Sequence, residues 1–106
     1  MSEPLAEEDA KLVVLARGAM ARAQSVSAAA VRDLDGRSYA GAPVQLSALR
    51  LTGLQVAVAT AVASGATGFE SAVVVGGESG DPGADAVREI SPSATIIVTD
   101  STGERR

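Results

Sequence analysis

The chain has 106 residues, 46% of them apolar, a net charge of −4, and neither cysteine nor histidine. That length and apolar content suit one domain, 1–106, with a packed core, and the missing thiols exclude a disulfide framework. Basic residues stand singly until Arg105-Arg106, and the only aromatics are one Tyr and one Phe. Nucleic-acid binding, which needs clustered cations and stacking faces, is therefore disfavoured.

The first four residues, Met1-Ser2-Glu3-Pro4, open acidic, unlike a secretory leader, and are expected to be mobile. Residues 5–23 read as an amphipathic helix with Leu5, Leu12, Leu15 and Ala19 near one face and Glu7, Glu8 and Asp9 in the first turn. Two strands follow at about 25–33 and 37–42, joined at Asp35-Gly36, a hairpin signal. Pro43 delays the next helix, which is predicted over 48–63 with Ser47 as its N-cap and Ser64-Gly65 as its end. This helix is apolar on nearly every side, so either the core or a partner must cover it. Its run from Leu51 to Ala63 is too short and too often interrupted to span a bilayer. An interior strand at 71–75 leads through the loop Gly76–Gly80 to a helix capped by Asp81, with Pro82 at its first position and Ile90 near its end. A last strand covers 94–99, and residues 101–106 are expected to be mobile. The order predicts an α/β fold: a three-layer mixed sheet of about four strands, an antiparallel hairpin first, with helices on both faces. A soluble, cytoplasmic protein is the expectation.

Several side chains invite chemical readings. Asp33 and Asp35 resemble a carboxylate pair, but both flank a turn, where Asp serves local hydrogen bonding. Asp85 and Glu89, one helical turn apart, would suit a hard cation, yet a solvated helix face explains them as well. The Gly76–Gly80 loop precedes a helix as a phosphate cradle would, but it lacks a lysine, and Glu78 and Asp81 repel anions. Thr52 as a nucleophile would need a base, and no histidine exists to be one.

The element order and several short words together resemble the cytidine deaminase-like superfamily, in particular the small nucleoside deaminases. Asp35-Gly36-Arg37-Ser38-Tyr39-Ala40-Gly41 is similar to that family's D-G-K-x-Y-x-G strand. The family's C-N-x-E, whose Asn and Glu hold ribose, falls on Ala42-Pro43-Val44-Gln45. Gln45 is then the one polar candidate for holding a ligand. The metal-and-proton motif, C-A-E or H-x-E, falls on Thr52-Gly53-Leu54, and P-C-x-x-C falls on Pro82 to Ala86. The resemblance thus implies metal-ligand positions at Thr52, Gly83 and Ala86 and a proton-shuttle position at Leu54. None of these residues can do that work, and the chain stops where the family's fifth strand would begin. The resemblance therefore implies a catalytically inactive protein with no cofactor, acting through binding or as a homo-oligomer, a dimer or tetramer. Alternatives are a nucleoside- or base-sensing protein without turnover and a deaminase working without zinc. An unidentified protein partner stays open; nucleic acid and membrane are not expected.

Overall fold

The computed structural model describes residues 5–106, so the expectation for residues 1–4 lies outside the described residues. Helix α1 spans Glu7–Ala23. Strands β1 (Ala28–Asp33) and β2 (Ser38–Gly41) form the expected hairpin, followed by two short strands, β3 (Val44–Gln45) and β4 (Arg50–Leu51). Then come α2 (Gly53–Ala63), β5 (Phe69–Val75), α3 (Pro82–Ile90) and β6 (Thr95–Thr99).

The main sheet has the order β2-β1-β5-β6. Both pairings of β1 are antiparallel, and β5 runs parallel to β6. Because side chains alternate along a strand, each strand serves two cores. Ala28, Ala30, Val73, Val75 and Ile97 meet Leu12, Val13, Ala16 and Ala19 of α1. Ala29, Val31, Ala72 and Val74 meet Leu54, Ala57, Val58 and Ala61 of α2 and Val87 of α3. The result is three layers with helices on both faces, as the sequence predicts. Among the described residues no helix is long and apolar enough to cross a membrane.

Two local expectations are corrected. The α1 face is carried by Leu12, Val13, Ala16 and Ala19, while Leu15 stays 42% exposed. Helix α2 does not start after Ser47. Residues 44–51 turn back as the β3–β4 hairpin, in which Val44 faces Leu51 and the Leu46 amide bonds the Leu49 carbonyl. The α2 N-cap is Thr52, whose side chain accepts from the Gln55 amide while the Gln55 side chain accepts from the Thr52 amide. Residues 101–106 form a turn. The Asp100 amide donates to Glu104 and the Arg106 amide to Val98, so Arg105 pairs antiparallel with Thr99 on the outer side of β6.

Glycine sets how closely α2 lies on the sheet. A Cβ on Gly41 would stand 2.6 Å from the Gly53 carbonyl oxygen, and one on Gly53 would stand 2.8 Å from the Gly41 carbonyl oxygen. No side chain fits between them, so β2 and the first turn of α2 touch backbone to backbone. That contact fixes where the N-terminus of α2 points.

Candidate functional site

The N-termini of α2 and α3 converge above the ends of β1 and β5. The cleft they border has a volume of about 330 Å³ and is lined by Ser27, Pro43, Gln45, Thr52, Leu54 and the loop from Gly77 to Asp81. Of the positions that the family resemblance singles out, Gln45, Thr52 and Leu54 line this cleft, while Gly83 and Ala86 do not.

Thr52 sits where β4 ends and α2 begins. Its hydroxyl accepts from the Gln55 amide at 3.1 Å and donates to Asp81 Oδ1 at 2.8 Å. Asp81 is the N-cap of α3, as expected, and the same Oδ1 accepts from the Gly83 amide at 2.7 Å. The Thr52 hydroxyl thus caps α2 and is tied to the cap of α3. Leu54 is fully buried against α3, where a Cβ on Gly83 would lie 2.7 Å from Leu54 Cγ. Ala86 is half-buried and packs against the α2-side core. Gln45 is exposed on β3 at the cleft mouth, paired in register with Arg50.

The cleft's charged lining is acidic, Glu78 and Asp81. The loop before α3 thus offers an anion no cation, and the Gly83 amide that a phosphate would seek already serves Asp81. Among the described residues no cluster of three or more His, Cys, Asp or Glu could hold a metal ion, and Asp85 and Glu89 lie exposed on α3.

The carboxylates at the β1–β2 turn prove structural. Asp33 is buried, and its Oδ1 accepts from the amides of Asp35 and Arg37, both at 2.9 Å, while Oδ2 accepts from the Tyr39 hydroxyl at 2.9 Å. Burial alone would push the Asp33 carboxyl up. The Arg37 amide, the Tyr39 hydroxyl and the Asp35 amide, with the Arg37 charge, outweigh it and hold the group below the usual carboxylate range. Burial, followed by the bond to Asp33, raises the Tyr39 phenol above its ordinary value. Asp33 holds the hairpin turn; it is not half of an acid–base pair.

Comparison with known proteins turns this geometry into an assignment. A family profile described as cytidine deaminase-like matches residues 5–103. The chain belongs to the cytidine deaminase-like family. No curated protein matches it in sequence. Among solved structures, the cytidine deaminase of Burkholderia pseudomallei is similar with a TM-score of 0.76. The match covers 96% of this chain and 91% of that one at 20% identity, a likeness that shows the fold alone.

The family resemblance implies a zinc ion at the junction of α2 and α3, and the residues present do not fit one. Zinc sites are built from imidazole, thiolate and carboxylate ligands. This cytidine deaminase-like chain has no imidazole or thiol anywhere. Nor is there room for a longer side chain at Gly83, because Leu54 and the Gln55 amide already occupy the space in front of its Cα. Sequence reasoning found Asp81 only as a helix cap. Its bond to Thr52 links residues 29 positions apart, and no local pattern signals it. The capping box Thr52-x-x-Gln55 is a local signal that marks the start of α2, in place of the expected cap at Ser47.

Proposed function

We propose that this chain is a catalytically inactive member of the cytidine deaminase-like family that works by assembling with copies of itself. One observation carries the first half: Leu54 lies packed on Gly83, at the position the resemblance assigns to the proton shuttle. A leucine exchanges no proton, and the neighbouring ligand positions Thr52, Gly83 and Ala86 supply no metal ligand of the kind zinc needs. Purified protein supplied with zinc is expected to release no ammonia from cytidine, deoxycytidine or adenosine. Turnover abolished by Thr52→Val would overturn this reading.

Support for assembly comes from the outer side of α2. Ala59, Thr60, Val62 and Ala63 are exposed, and the helix carries no charged residue along its length. Such a face is better suited to a second apolar face than to water. Light scattering at micromolar concentration is expected to give a dimer or tetramer; a clean monomer counts against it.

The cleft favours a second reading, a sensor that binds a nucleoside or base without turnover. Its volume reaches the lower end of the range for small-molecule sites, and Gln45, Ser27 and Asp81 offer polar groups along it. A binder would raise the melting temperature. Cytidine, uridine and cytosine at millimolar concentration test this, and no shift with any of them removes the reading.

A further inference from the structure

We infer that Thr52 and Asp81, with Leu54 and Gly83 beneath them, form a clasp that closes the junction of α2 and α3 where the family fold implies a shared metal ion. Its meaning as a replacement rests on the family reading above, while the clasp itself rests on contacts within this chain.

The hydrogen bonds run in one continuous line. The Gln55 amide donates to Thr52 Oγ1, Thr52 Oγ1 donates to Asp81 Oδ1, and the Gly83 amide donates to that same oxygen. Each side chain therefore caps its own helix and grips the cap of the other. Helix N-termini leave amides without intrahelical partners and carry partial positive charge. Helix α2 has no acidic residue in its first turn, so the Asp81 carboxylate, from the neighbouring helix, supplies the negative charge that α2 lacks. A cation between these two helix ends needs ligands such as thiolate or imidazole around it. With those gone, the junction favours an anion, and Asp81 provides it.

Below the hydrogen bonds the helices meet directly. A Cβ on Gly83 would stand 2.8 Å from Leu54 Cβ and 2.9 Å from the Gln55 backbone nitrogen. Any side chain at position 83 must part the two helices. The metal position is thus closed by backbone contact as well as stripped of ligands.

The test is amide hydrogen exchange and urea unfolding on the full chain, with Thr52→Val, Asp81→Ala and the double variant. Thr52→Val is expected to speed exchange of the Gly83 amide on the other helix about fivefold, because Asp81, no longer held by Thr52, caps α3 less firmly. Asp81→Ala is expected to do the same to the Gln55 amide. In unfolding, the double variant should keep at least about twofold more folded protein than the product of the single effects. Unchanged exchange across the junction together with multiplicative effects overturns the clasp. Should either variant fail to fold, Thr52→Ser carries the test. It keeps the hydroxyl and should leave Gly83 protected, and exchange rising by the fivefold expected of Thr52→Val overturns the clasp. None of these readouts involves turnover or assembly. A monomer in light scattering would remove the proposed assembly without touching the clasp, and unchanged exchange with multiplicative effects would remove the clasp without touching the assembly.

Discussion

Ser71 is buried on the α1 side of β5, between Arg32 of β1 and Thr95 of β6, and its hydroxyl has no hydrogen-bond partner among the described residues. A buried unpaired hydroxyl costs desolvation with no return, so Ser71→Ala should leave stability unchanged or raise it by up to about 1 kcal/mol in urea unfolding. A loss of that size instead would reveal a partner. Arg32 shows the opposite situation. The register slips between Arg32 and Asp33, leaving Glu70 as the extra residue, and Glu70 then meets the Arg32 guanidinium at 2.8 Å. The same guanidinium reaches Asp9 and the Glu8 carbonyl, tying α1 to the sheet. Asp33 carries a pH dependence. Its folded pKa lies below its unfolded value, so its stabilisation is fully present above about pH 4, the unfolded value, and fades as pH falls through the lower folded value. Asp33→Asn should therefore flatten the acid limb of a melting-temperature profile below that pH, and an unchanged limb would assign acid unfolding to other carboxylates.

At the scale of elements, legibility followed the reach of each signal. The first turn of α1, the Asp35-Gly36 hairpin and the Asp81-Pro82 start of α3 are set by residues within a few positions, and all three elements lie where those residues place them. The β3–β4 hairpin escaped because two-residue strands have no period to read, while Ser47 imitates a cap ahead of an apolar run. The close approach of α2 to β2 was half visible. Gly53 near the start of an apolar helix is compatible with tight packing, but its counterpart Gly41, on another element, could be known only from the fold. Gly41→Ala forces a methyl group against the Gly53 carbonyl and the Ala57 amide and should cost about 1–3 kcal/mol. A neutral result in urea unfolding would mean that α2 shifts freely on the sheet.

For the whole molecule, the decisive clue was an absence. Without cysteine and histidine, only chain order and spacing could say where a metal site would have been, and the fold brings Thr52, Leu54 and Gly83 to one junction. The contacts at that junction were not readable, since the Thr52–Asp81 bond and the Leu54–Gly83 contact both join segments distant in sequence. Assembly belongs to this scale too. Val62 is 46% exposed on α2, so Val62→Lys should leave the folded subunit intact while shifting light scattering from oligomer to monomer. Equal masses for both proteins would place any assembly on another face.

The bond between Tyr39 and Asp33 has one last consequence, for how the protein can be observed. With no tryptophan and a single tyrosine in the chain, its near-ultraviolet absorbance and emission come almost wholly from one phenol at the β1–β2 turn. A carboxylate hydrogen-bonded to that phenol dims its emission, so opening of this hairpin would brighten the signal even while the helices stay folded. Tyrosine fluorescence is therefore a local gauge of one turn, and set beside helical circular dichroism it separates fraying of the sheet edge from loss of the whole fold.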